Sequence, residues 1–284
     1  MASLRDLRRR IKSVKNTQKI TKAMELVAAA KMRRAQERVE AARPYAEEIN
    51  NVIADLFKRE PEYKHPYLEV REVRKRLVVL VTSDRGLVGA LNSNNIRLAL
   101  REMNQSPSPA AVITVGRKGR DAMTRLRKDL VADRSNLGDR PSMGDILPAI
   151  RVAMEQYENG DADQVDLVFA HFISAGRQQA TLRRLLPVAV PEATEHLAAD
   201  FVYEPEPKDV LDALLPRYVE SQIYQAVLEN LASQMASQMV AMRNASDNAG
   251  DLIKDYTLAA NTVRQSTITS ELMEIVGGAA ALSG

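Results

Sequence analysis

Residues 217–276, RYVESQIYQAVLENLASQMASQMVAMRNASDNAGDLIKDYTLAANTVRQSTITSELMEIV, contain no proline and one glycine, Gly250. As continuous helix this stretch is about 90 Å long at ~1.5 Å per residue. Its apolar stripe runs Tyr224, Leu228, Leu231, Met235, Met242, Ala245, Ala249, Leu252, Tyr256, Ala259, Val263. Spacings of three and four mark one helix face, and a pattern this long without caps points to a coiled coil. Ala and Met dominate where a seam built for stability alone carries Leu and Ile. Small residues let helices approach closely, and Met adapts to irregular partners. After Val263 the seam turns polar, through Gln265, Ser266, Thr267, Thr269 and Ser270.

The other end of the chain carries a matching element. Residues 1–58 contain no glycine and one proline, Pro44, where the loss of a backbone donor should kink the helix. Leu4, Leu7, Ile11 and Val14 open a stripe that resumes at Ala28, Met32, Ala35, Val39 and Ala42. Between these runs the register holds Gln18, Thr21 and Glu25, while Ile20, Met24 and Val27 form a displaced apolar stripe. Such a displacement implies a local change of winding or a second partner at that height.

Residues between the helices read as α/β. Arg76–Ser83 (RLVVLVTS), Ala110–Val115 (AAVITV) and Val165–Phe172 (VDLVFAHF) are strands, with shorter ones expected near Val131 and over Gln179–Leu186. Asn92–Met103 and Ser142–Tyr157 suit helices. Alternating strands and helices specify a mostly parallel sheet with helices packed on it, a Rossmann-like body. Pro187, Pro191, Pro205 and Pro207 punctuate the exit into the C-terminal helix. The expected division is a coiled-coil helix over 1–58, an α/β body over 59–208 and a second coiled-coil helix over 209–284.

Composition excludes several chemistries. The 284 residues include no cysteine, which removes disulfides, thiolate metal sites and Cys nucleophiles. Three scattered histidines, His65, His171 and His196, make a poor metal set. The longest strongly apolar run, Leu77–Val81, is far short of a membrane span, and the charged N-terminus lacks a secretory core. A soluble protein of a reducing compartment is expected. Net charge is +3, unevenly placed: residues 1–58 hold 14 Lys/Arg against 7 Asp/Glu, and residues 217–276 hold 4 against 7. The basic helix can meet the acidic one, or an acidic partner.

Candidate catalytic motifs fail on inspection. Gly86-Leu-Val-Gly89 follows a strand and precedes a helix but lacks the third glycine of a dinucleotide fingerprint, so a tight turn is the better reading. Gly116-Arg-Lys-Gly119 reads as an exposed basic turn. No phosphate loop, nucleophile elbow or zinc-protease motif occurs. Adjacent carboxylates such as Glu47-Glu48 point in different directions on a helix. No active site and no cofactor are expected. A rod longer than the body it grows from adds little to core stability; it transmits force, spans a distance or sits inside another structure.

Four segments carry a resemblance. Ile11–Met32 (IKSVKNTQKITKAMELVAAAKM), Thr82–Asn92 (TSDRGLVGALN), Met239–Asn248 (MVAMRNASDN) and Ile268–Ala281 (ITSELMEIVGGAAA) resemble, in order, segments of the gamma subunit of F-type ATP synthase. The match spans the chain. The resemblance implies a non-catalytic central rotor shaft whose antiparallel coiled coil enters the alpha/beta hexamer. Its body would sit on the membrane c-ring beside the epsilon subunit, coupling proton-driven rotation to ATP synthesis or hydrolysis. It implies that Met24, Arg264, Gln265 and Thr269 meet the beta subunits' moving loops, and that Phe201, Tyr203 and Glu204 form a foot on the ring and epsilon. It implies a peripheral place on the cytoplasmic face of a bacterial membrane, without the dithiol switch of plastid relatives, since cysteine is missing. Two rival readings are a nucleic-acid-binding coiled coil, opposed by the acidic C-terminal helix, and a nucleotide-binding enzyme with helical arms, opposed by the incomplete glycine loops.

Overall fold

The computed structural model describes residues 3–60, 63–105, 108–189, 204 and 206–283, the last five of these by backbone only. The elements in order are α1 (Leu4–Arg59), a 3-10 turn η1 (Pro66–Leu68), β1 (Arg76–Val81), α2 (Leu91–Gln105), β2 (Ala110–Val115), α3 (Arg117–Arg125), β3 (Leu130–Arg134), α4 (Met143–Glu158), β4 (Gln164–Ser174), β5 (Arg177–Leu186) and α5 (Pro207–Ser283). The chain divides into two compact units, residues 28–238 and residues 1–27 with 239–284. Each long helix therefore contributes to both.

Within residues 28–238 the sheet order is β3-β2-β1-β4-β5. The first four strands are mutually parallel, and β5 returns antiparallel to β4. The central strand β1 shows why the sheet is buried on both faces. Leu77, Val79 and Val81 point into one core with Ile113, Val115, Val165, Leu167 and Phe169. Val78 and Leu80 point into a second core with Val112 and Val168. Period-two alternation of an unbroken apolar run feeds both cores, as expected for a parallel sheet covered on both sides.

The first core is roofed by α4 (Ile146, Ile150, Ala153), by α1 through Ile49 and Ile53, and by α5 through Leu215, Val219 and Ile223. Ala99 and Met103 of α2 and Met123 of α3 cover the second. Parts of both long helices are thus structural members of this unit. A further cluster joins Ala35 and Val39 of α1 to Leu228, Leu231, Ala232 and Met235 of α5.

Two expectations need correction. The Gly116–Gly119 segment is not an exposed turn; it opens α3, and Gly119 is buried. Gly116 sits at φ +108, and a Cβ there would lie 2.2 Å from the Thr82 carbonyl oxygen. Gly119 donates its N–H to the Thr82 hydroxyl at 2.8 Å. Both glycines serve close backbone approach, and neither exposes phosphate-binding amides. The C-terminal helix begins at Pro207 and continues through Pro216, so its prolines do not all lie outside it. Proline at a first helical position needs no N–H donor. α1 runs as one continuous helix from Leu4 to Arg59 with Pro44 inside it.

Candidate functional site

The unit built from residues 1–27 and 239–284 contains most of the residues the resemblance singles out. Its seam is polar at mid-height. Gln18 donates to the Ser246 carbonyl at 3.3 Å, and the Thr21 hydroxyl turns back to the Gln18 carbonyl. Glu25, 5% exposed, lies between Lys22 on its own helix and Arg243 on α5, each 3.0 Å away. Hydrogen bonds from Lys22 and then Arg243 hold the Glu25 carboxyl below its ordinary pKa, against a smaller desolvation effect. Further toward the N-terminus, the Arg10 guanidinium stacks over Tyr256 at 6.0 Å. Partners 10 with 256, 18 with 246 and 25 with 243 run in opposite directions, as an antiparallel pair requires.

Gly250 belongs to this seam. A helical glycine costs about 1 kcal/mol relative to Ala, yet a Cβ here would approach the Gln18 amide nitrogen to 3.1 Å. The missing side chain makes room for Gln18. The seam on α5 runs Met242, Ser246, Ala249, Ile253, Tyr256, Ala260, with Leu252 outside it at 45% exposed. The sequence stripe placed Leu252 and Ala259 there, one residue off.

The displaced stripe on α1 now has an explanation. Gln18, Thr21 and Glu25 keep the register, so the winding does not change to bring Ile20 and Val27 inward. Ile20 is 60% exposed and Val27 54%, beside Leu26 at 62%, while Met24 is half-buried. These apolar side chains face away from α5. Arg5, Arg8, Lys12, Lys15 and Lys19, spaced three and four apart, form an exposed cationic flank on the same helix.

On α5, Arg264, Gln265 and Thr269 are all exposed. The Thr269 hydroxyl donates to the Gln265 carbonyl at 2.9 Å, and Thr267 to Val263 likewise. These hydroxyls are satisfied by their own helix, whereas Arg264 and Gln265 side chains have no partner among the described residues. Sequence reading missed the apolar stripe beyond them. Ile268, Leu272, Ile275 and Val276 follow helical spacing and are 49% to 68% exposed. Their signal, a three-four apolar period inside a polar segment, was present in the sequence. Of the expected foot, Glu204 is exposed, and Phe201 and Tyr203 lie outside the described residues.

The switch point of the sheet offers little room for a nucleotide, while an open surface cavity of about 450 Å³ lies beside the Gly86–Gly89 turn, Lys118 and Arg125. In open α/β sheets a ligand site forms at the carboxyl ends of strands where the connections diverge, here between β1 and β4. That crevice is filled. Asn95 of α2 donates to the Val81 carbonyl at 3.0 Å and to Asn230 Oδ1 at 3.1 Å. Asn230 of α5 accepts the Ala170 N–H, and Ser233 donates to the Ala170 carbonyl. The remaining cavity, lined in part by Thr82, Gly116 and Asn230, is about 30 Å³, against about 300 Å³ or more for a ligand pocket. In the turn at Gly86–Gly89, Leu87 and Gly89 take positive φ. Asp84 accepts the N–H groups of Arg117, Asn136 and Leu137, tying the turn to α3 and β3. Among the described residues no cluster suits a metal ion, and no helix is long and apolar enough to cross a membrane.

Comparison with known proteins agrees with this architecture. The ATP synthase family profile matches residues 3–282. The chain is 48% identical over 288 residues to the ATP synthase gamma chain of Acidithiobacillus ferrooxidans, covering 99% of this chain and 100% of that protein. It is 42% identical over 288 residues to the ATP synthase gamma chain of Legionella pneumophila, with the same coverage. Among solved structures, a chain of the central stalk and c-ring of Tetrahymena thermophila mitochondrial ATP synthase superposes with TM-score 0.63 at 28% identity, covering 80% of this chain and 99% of that one. A rotor chain of Euglena gracilis mitochondrial ATP synthase shares the fold with TM-score 0.67 at 21% identity, covering 93% and 98%. With its sheet, its antiparallel helix pair and its full length matched, this chain belongs to the ATP synthase gamma-chain family.

Proposed function

We propose that the chain is the central rotor shaft of an F-type ATP synthase, coupling rotation of a proton-driven membrane ring to nucleotide chemistry in an alpha/beta hexamer. The carrying observation is a helix pair that closes a polar seam inward while leaving apolar side chains outward on both helices and a cationic flank outward on α1. A free-standing coiled coil gains nothing from exposed Ile20, Val27, Leu272 and Ile275; a shaft inside a close-fitting sleeve does.

Met24, Arg264, Gln265 and Thr269 are the proposed contacts with the beta subunits. Arg264 carries a planar fork of donors suited to a carboxylate or a loop carbonyl. Phe201, Tyr203 and Glu204 are the proposed contacts with epsilon and the c-ring. The working divisions are helix 1–58, body 59–208 and helix 209–284. The subunit is non-catalytic, and the filled crevice between β1 and β4 supports that reading. It takes no nucleic acid, and it is peripheral to the cytoplasmic face of the cell membrane, held there by its partners.

The test is rotation. Alpha and beta subunits immobilised with this chain, bearing a bead on its body, should turn the bead when ATP is added. The chain alone should not hydrolyse ATP. Hydrolysis by the alpha–beta assembly with no movement of the bead overturns the reading.

A further inference from the structure

We propose that Asn230 and Ser233 of α5, hydrogen-bonded to both backbone groups of Ala170 in β4, are a torsional pin that stops α5 from turning about its own axis under load. The proposal rests on the shaft reading and concerns how one helix delivers torque to the sheet.

Apolar packing resists large rotation of a helix, because turning would expose its buried stripe, but it lacks the sharp directional restraint that a hydrogen bond sets on small rotations. Most of α5 within the body packs in this way, through Leu215, Val219, Ile223 and Val227. Hydrogen bonds have direction. Asn230 Oδ1 takes the Ala170 N–H at 3.2 Å, and the Ser233 hydroxyl gives to the Ala170 carbonyl at 3.0 Å. One residue of a buried strand is therefore gripped from both backbone groups by two side chains three apart on one helix face. The same Asn230 oxygen receives Asn95 of α2, which also holds the Val81 carbonyl at the end of β1. The network thus reaches from α5 past the middle of β4 and the end of β1 to a helix on the other side of the sheet.

Asn95, Asn230 and Ser233 are each no more than 2% exposed. Stability alone does not account for them. Asn95 Oδ1 is buried with no hydrogen-bond partner among the described residues, and an apolar filling of similar shape would avoid that cost. Imperfectly satisfied polar groups in a core are explained when they fix a geometry that apolar groups leave loose. Three neighbouring contacts extend the grip along β4 and β5: Glu229 with His171, Arg183 with Gln222 at 2.8 Å, and Ser237 with Gln178 at 2.9 Å. All three involve exposed or half-exposed side chains, so the buried pair at Ala170 is the stiffest element.

The experiment uses the assembled complex in sealed vesicles, comparing the parent with Asn230→Leu, Ser233→Ala, Ser233→Thr and Ser237→Ala. ATP hydrolysis without a gradient should match the parent in every variant. Against a sustained proton gradient, Asn230→Leu and Ser233→Ala should both slip, with turnovers lost per proton pumped rising about five- to tenfold in Ser233→Ala, the Boltzmann weight of one hydrogen bond, and by more in Asn230→Leu, which removes the acceptor of two. Ser233→Thr keeps the hydroxyl and should restore coupling, and Ser237→Ala should stay coupled. If Asn230→Leu does not assemble, Ser233→Ala decides alone. Unchanged coupling in Ser233→Ala overturns the pin, as does slip in Ser237→Ala of equal size. Failure of the parent itself to pump would instead overturn the shaft reading, and the pin with it.

Discussion

Glu25 shows how one residue serves seam and surface together. A buried carboxylate in an apolar seam would be strongly disfavoured, but Lys22 and Arg243 bring their charges to it from more than half-exposed positions. Because its pKa in the folded state is depressed, Glu25 contributes stability above the unfolded carboxyl value, about 4.3, and loses it as pH falls through the folded value. The stability gap between parent and Glu25→Gln should therefore be widest near neutral pH and shrink below about pH 4.3. Thermal unfolding across that range checks it; a gap independent of pH would show the carboxylate charge to be irrelevant. Arg264 and Gln265 stand in the opposite position, exposed and unpartnered among the described residues. Arg264→Ala should leave assembly and the melting temperature unchanged while slowing coupled turnover, since a hydrogen bond to a charged group contributes about 1.5–3 kcal/mol. If Arg264→Ala and Gln265→Ala both pump and hydrolyse like the parent, torque passes elsewhere.

Among elements, legibility tracks how strongly a period is written. β2 matches its sequence bounds to the residue, and α4 starts where Ser142 and Asp145 form a capping box. By contrast α3 was unreadable, because Gly-Arg-Lys-Gly carries turn chemistry and only the approach of Thr82 explains its glycines. Gly116→Ala should destabilise the body by at least about 2 kcal/mol, through positive φ and a clash with backbone that cannot move aside. Denaturant unfolding of the purified chain measures this, and an effect under half that size would mean the β1–α3 junction is loose. On α1, the displaced stripe was visible but its meaning was not: sequence alone left a change of winding and a second partner both open, and the buried Glu25 speaks against the change of winding, which leaves the partner as the proposal. Ile20→Asp with Val27→Asp should then spare the melting temperature of the chain and weaken its retention by alpha and beta. Loss of stability in the free chain would return these side chains to the seam. The candidate contacts themselves came from resemblance, because an exposed Arg or Thr on a helix carries no local sign of what it touches.

At the scale of the whole molecule, a shaft differs from a hinged pair of arms in one respect: its two helices must move together. Between residues 10 and 25 the partners on α5 run from 256 down to 243, through a cation–π contact, an amide–carbonyl hydrogen bond and an ion pair. None of these is covalent, so the structure poses the question of whether the helices slide on each other during turnover. The chain has no cysteine of its own, which makes engineered pairs clean reporters. Gln18→Cys with Ser246→Cys should oxidise to a disulfide within the assembled complex, which requires Cα atoms within about 7 Å. Gln18→Cys with Tyr256→Cys, displaced by ten residues or about 15 Å of helix, should not. Bridging should leave ATP-driven proton pumping at the parent's rate, because helices that turn as one body lose nothing by being joined. Pumping that stops on oxidation and returns on reduction would show that α1 and α5 shift against each other in every turn. The polar seam around Gln18 and Glu25 would then be a sliding surface, and the rigid-shaft account would fail.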